Sequence, residues 1–198
     1  MKNSLYPCLL LLFATACHSN SKPAKPENTD SATAQKAFLP IANYLQGEIS
    51  FVDSTPLAIL KYDIRDKKRD SAYIQQSEFN QLAQQFLRPE LAPDSFQQNY
   101  TENSFVDETT KSLTFTYSAI NKTTALQRAD VLIVPTGTSN QVKSIYLQEN
   151  YMTGDTQVVK KLYWEARKQF EITTTQQLPH QPLLVKELRV VWDQDNPQ

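Results

Sequence analysis

The sequence predicts an α+β domain, with two N-terminal helices packed on an antiparallel meander sheet of about six to eight strands. Three observations carry this. Apolar residues recur twice at helical spacing before residue 90. After residue 100 the apolar period becomes two. The period-two runs follow one another through short turn-like stretches, which suits antiparallel neighbours.

The first helical stripe is Phe38, Ile41, Ala42, Leu45 and Ile49, with Pro40 suited to a first turn and Gly47 a weak point. A strand follows at Leu57 to Ile64, with Ala58, Leu60, Tyr62 and Ile64 on one face. The charge cluster Arg65 to Asp70 reads as a hairpin tip, and Ser71 to Ile74 as the return strand. The second helical stripe is Phe79, Leu82, Ala83, Phe86 and Leu87, a core-facing pattern with Ser77 as N-cap and Pro89 as the stop. Leu113, Phe115 and Tyr117 then alternate with polar residues, as do Ala129, Val131 and Ile133. Ile145 and Leu147 continue the pattern. Thr153-Gly154-Asp155 turns the chain into Val158 to Trp164, and Glu165 to Lys168 turns it into Phe170 and Ile172. The last strand carries Leu184, Leu188, Val190 and Trp192 on one face. Strands Ala129–Val134 and Val158–Trp164 are apolar on both faces, which suits central strands or strands lining a cleft.

The chain divides into residues 1–16, 17–35 and 36–198. A lone basic residue, Lys2, precedes an apolar run from Leu5 to Phe13 that ends in Ala14-Thr15-Ala16-Cys17. The run is too short to span a bilayer and holds Pro7. A short apolar region before small residues is a secretory signal, and the cysteine after Ala16 gives it the layout of a lipoprotein signal. In such signals the chain is cut before the cysteine, here between Ala16 and Cys17. The cysteine takes a diacylglycerol thioether and further acyl chains of the palmitate kind. Alanine stands at position 14, where leucine is more usual. Residues 18 to about 35 hold no large apolar side chain, so they read as a flexible tether. His18 and Ser19 follow Cys17 rather than an acid, which resembles the default outer-membrane route with the domain facing the periplasm. Cys8 is lost with the signal, so the mature domain holds no cysteine for a disulfide, a thiol nucleophile or a thiolate metal site.

Composition and motif spacing narrow the chemistry. Twenty basic residues against 21 acidic ones give a net charge of −1, which with the compartment disfavours nucleic acid. Three glycines are too few for a phosphate cradle or a dinucleotide fingerprint. His180 lies in the loop Pro179-His180-Gln181-Pro182, with no nucleophile elbow elsewhere to complete a triad. Asp107-Glu108 and Asp193-Gln194-Asp195 are the densest oxygen clusters and read as solvated turn and tail, so no metal or other cofactor is expected. Glu149, Glu165 and Glu171 lie on or beside strands, and a glycoside hydrolase would need two of them within reach.

The aromatic residues offer the one binding feature. Tyr146, Tyr151 and Tyr163 are candidates for a ligand or partner surface, and Tyr163 has the opposite parity to the apolar face of its strand. Trp164 and Trp192 share the apolar parity and belong in the core. With the Ala14–Cys17 box, the polar tether and the Tyr/Thr-rich strands, the chain resembles the uncharacterised lipoproteins of Bacteroidota. That resemblance implies a membrane anchor at Cys17 and says nothing of activity. The expected role is a non-enzymatic, lipid-anchored envelope protein that binds a partner protein or aids an envelope assembly. The alternatives are a carrier of an apolar ligand between sheet and helices and, after it, a hydrolase.

Overall fold

The computed structural model describes residues 38–65, 68–137 and 139–193, all within the compact unit Ala37–Gln198. The signal, the Ala16–Cys17 cleavage pair, the tether and residues 194 and 195 lie outside the described residues.

The fold is α+β, built on one nine-stranded antiparallel sheet. Helix α1 (Ile41–Ser54) leads into the hairpin β1 (Ile59–Arg65) and β2 (Lys68–Ile74). Helix α2 (Gln76–Ala83), two short 3-10 turns and helix α3 (Pro93–Asn99) come next. Seven strands follow: β3 (Tyr100–Asp107), β4 (Ser112–Ala119), β5 (Leu126–Thr136), β6 (Ser139–Thr153), β7 (Thr156–Glu165), β8 (Gln169–Gln177) and β9 (Leu184–Val191). The spatial order is β2-β1-β9-β8-β7-β6-β5-β4-β3, so β3 to β9 form a meander and the β1–β2 hairpin docks beside β9.

This corrects the expected layout in two respects. Among the described residues there are nine strands rather than six to eight and three helices rather than two; α2 follows the β1–β2 hairpin where the Phe79–Leu87 stripe placed it, and α3 is the added helix, so the helices are not all N-terminal to the sheet. The ninth strand is β3. It escapes the period-two test because Thr101, Asn103, Ser104, Phe105 and Val106 are all exposed, so neither face carries an apolar alternation. Helix α3 escapes because its seven residues bury one side chain, Phe96. The cap of α2 is also displaced: the first amides of that helix bond to Gln75 O, not to Ser77.

The helices cover one face of the sheet, and large apolar side chains fill the space between. Phe79 of α2 and Phe86 of the following turn meet Trp164, Phe170 and Trp192, with ring centroids 5.1 Å apart for Phe86–Trp164 and 5.4 Å for Phe79–Trp192. A second cluster joins Phe38, Phe96, Tyr100 and Tyr117, with Phe96 4.7 Å from Tyr100. Both tryptophans are buried, as their strand parity requires. Strand β7 lies at the centre of the nine, which accounts for its apolar residues on both faces.

Among the described residues, two carboxylates are buried in this layer. Glu48 of α1 sits on the stripe Ile41-Leu45-Glu48-Val52 and reaches the β7–β8 turn. Its Oε2 accepts the Arg167 amide at 2.8 Å and the Trp164 indole N–H at 3.4 Å, while Arg167 Nε lies 3.0 Å from Oε1. The Arg167 guanidinium also stacks on Phe51. Glu149 of β6 lies beneath the loop between α2 and α3. Arg88 Nε stands 2.8 Å from its Oε1, close enough for an ion pair but not aligned for a hydrogen bond. Burial holds the Glu149 carboxyl above the ordinary carboxylate value, and Arg88 and Lys160 oppose that shift.

Candidate functional site

The face away from the helices is polar, and the strand register orders it into rows. One row runs Ser71, Tyr62, Arg189, Glu171, Tyr163, Tyr146, Asp130, Thr116 and Asn103, each directly opposite the next. Tyr146 and Tyr163 are therefore a cross-strand pair on this outer face. Tyr151 lies five residues from Tyr146 with no bulge between them in the β6–β7 pairing, so it falls on the helix-covered face, opposite Val158. The three tyrosines do not form one surface.

The charges of the outer face are largely matched within it. Arg189 Nε donates to Glu171 Oε1 at 2.7 Å, and Arg128 Nε to both oxygens of Asp130 at 2.9 Å. Arg69 stacks on Tyr62 with 3.9 Å to the ring centroid. Tyr146 OH donates to Gln148 Oε1 at 3.1 Å. Burial raises the pKa of both Tyr146 and Tyr163, so these phenols are neutral hydrogen-bonding groups rather than bases. A shallow hollow of about 150 Å³ lies beside Tyr62, Arg69, Glu171, Glu187 and Arg189, where Arg189 pairs with Glu171 and Arg69 stacks on Tyr62.

The catalytic alternatives are not assembled. Glu149 points to the helix side, whereas Glu165 and Glu171 share the outer face, where Glu165 takes Gln169 Nε2 and Glu171 takes Arg189. His180 is an exposed turn residue in the left-handed region, with φ 60°. Asp107 caps its own turn, accepting the amides of Thr109 and Thr110, and these bonds hold its carboxyl below the usual range. Among the described residues no group of three or more His, Cys, Asp or Glu side chains is placed to hold a metal ion. No helix among them is long and apolar enough to cross a membrane.

The sheet is open, and its two edges differ. Edge strand β2 carries Lys68, Arg69 and Asp70, the charges that commonly guard an edge against pairing. Edge strand β3, Tyr-Thr-Glu-Asn-Ser-Phe-Val-Asp, has no Lys, Arg or Pro. It exposes Phe105 (69 %) on the outer face and Val106 (48 %) on the other.

The direction of the β3 backbone follows from its start. Ile120 N donates to Asn99 O at 2.9 Å, and the register sets Tyr100 opposite Ala119, so residues 99 and 120 are a bonded pair. Bonded pairs alternate along an antiparallel ladder. Thr101, Asn103, Phe105 and Asp107 therefore bond to β4, and Ser104 and Val106 turn their N–H and C=O outward. The Tyr100 amide agrees, since it turns back to Phe96 O instead of β4.

The chain matches no protein-family model, no curated protein and no solved structure.

Sequence reasoning placed the candidate surface on tyrosines and missed Ser104, Phe105 and Val106. The available signal was indirect. The Asp107–Lys111 turn precedes the clear strand β4, and a turn before a strand implies a partner strand before the turn.

Proposed function

We propose that this chain is a lipid-anchored cell-envelope protein whose sheet domain binds a protein partner by strand addition at the β3 edge. The observation that carries the reading is the exposed β3 edge, which lacks the Lys and Arg of β2: outward backbone groups at Ser104 and Val106, flanking the exposed Phe105. Such an edge is a template for another strand, in which main-chain hydrogen bonds supply affinity and alternate side chains supply selectivity. The anchor rests on the likeness of Ala14-Thr15-Ala16-Cys17 to a lipoprotein box, with the outer membrane and its periplasmic face as the favoured site. A carrier role is disfavoured by the filled sheet–helix layer, where Phe79, Phe86, Trp164 and Phe170 are fully buried against one another.

The test is a photo-crosslinking amino acid placed at position 105 or at Thr173, an outer-face position far from the edge, in the full chain in native membranes. An adduct from position 105 alone supports the reading. Adducts from both positions, or from neither, would contradict it.

A further inference from the structure

We infer that the strand received by β3 is the β3 strand of a second copy of this chain, paired antiparallel about a twofold axis through the sheet. The inference rests on the reading of the β3 edge just given.

Backbone direction makes the edge self-complementary. Ser104 and Val106, which turn their polar groups outward, both carry their side chains toward the helix-covered face. In an antiparallel pair, residues that exchange hydrogen bonds lie directly opposite, with side chains on the same face. Two copies of this edge meet that condition with neither copy turned over. Both helix layers then lie on one side of a continuous sheet and both polar faces on the other. The contact is isologous and closed, so it consumes both β3 edges and leaves the guarded β2 strands at the two ends.

The acids of the strand choose the register. Centring the twofold on Glu102 would set the two Glu102 residues opposite each other, and centring it on Phe105 would set Glu102 opposite Glu108. Like charges directly opposite are destabilising. Centring it on Asn103 or Ser104 avoids both clashes. Glu102 then faces Ser104 or Val106, and Asp107 faces Asn99 or Thr101. Phe105 covers Thr101 or Asn103 of the other copy, and Val106 covers Tyr100 or Glu102. The apolar residues that β3 exposes are thereby covered.

Cysteine substitution tests the contact directly. A residue on the twofold meets its own copy at a Cα separation of about 4.5 or 5.5 Å, depending on its place in the ladder, and both values suit a disulfide. Asn103→Cys and Ser104→Cys are made separately in the full chain and oxidised in membranes, with the parent chain and Ala72→Cys on β2 as controls. One of the two β3 variants should give a reducible band at twice the chain mass, absent from both controls. Ser104→Pro, which removes an outward N–H without breaking the β4 ladder, should abolish the crosslink when added to Asn103→Cys. No band from either β3 variant, or an equal band from Ala72→Cys, overturns the inference. A photo-adduct from position 105 that holds a different protein overturns it too, while leaving the partner-binding reading intact. No adduct at all removes both.

Discussion

Replacing Glu48 with alanine should cost the fold about 3 kcal/mol, and the figure can be worked from its contacts. The carboxylate is 4 % exposed and takes two donors, the Arg167 amide at 2.8 Å and the Trp164 indole N–H at 3.4 Å, with Arg167 Nε beside it at 3.0 Å as an ion pair. Alanine leaves the indole and amide donors without an acceptor, at roughly 1–3 kcal/mol each. The Arg167 side chain is 57 % exposed and rehydrates, so its share stays below about 1 kcal/mol. Arg167→Ala is therefore the informative control. It keeps its own amide donor and the left-handed φ of 64°, and loses only the exposed ion pair and the stack on Phe51. It should cost about 1 kcal/mol, a third of the Glu48→Ala loss. Urea unfolding followed by tryptophan fluorescence reads both, since Trp164 and Trp192 are the only tryptophans and both are buried. In thermal unfolding a loss of about 3 kcal/mol would lower Tm by about 6–12 °C. Equal costs for the two variants, or a Glu48→Ala cost under about 1 kcal/mol, would refute the claim that the buried donors dominate.

Three further outcomes are expected. Glu149 has a carboxyl pKa raised by burial, so its contribution to stability is fully present below the ordinary carboxylate value and is lost as pH rises through the raised one. The stability of the parent relative to Glu149→Gln should therefore fall as pH rises above the ordinary carboxylate range, and urea midpoints that diverge in the opposite sense would contradict this. Trp164→Ala should cost about 3–5 kcal/mol, because the ring packs on Phe79, Phe86, Phe170 and Trp192 at once; a loss under about 1 kcal/mol in chemical unfolding would show that the cluster is loosely packed. Cys17→Ser should move the chain from the detergent phase to the aqueous phase on partitioning, and unchanged partitioning would remove the lipid anchor from the account.

The legible parts of the sequence were those where one face is buried and the other wet. Leu113-Phe115-Tyr117 announced β4, and the shared parity of Trp164 and Trp192 with their apolar neighbours placed both in the core. Strand β3 was illegible because an edge strand with most of its residues exposed has no apolar alternation to read. Glu48 and Glu149 were illegible for another reason. A carboxylate at a core position looks like any surface acid until its partners appear, and those are Arg167 and Trp164, more than a hundred residues away in sequence, for Glu48 and the Arg88 ion pair for Glu149. The tyrosines split by parity. Tyr146 and Tyr163 were brought together by the β6–β7 register, and Tyr151 was sent to the other face by the same register.

The central claim is that the β3 edge is occupied when the chain is in its membrane. Amide hydrogen exchange at Ser104 and Val106, compared between the full chain in native membranes and the same chain dilute in detergent, tests it most directly. Their outward N–H groups should be protected in the membrane and exchange rapidly in dilute detergent, with Phe105, bonded to β4, protected in both. Rapid exchange at Ser104 and Val106 in both settings would contradict the account.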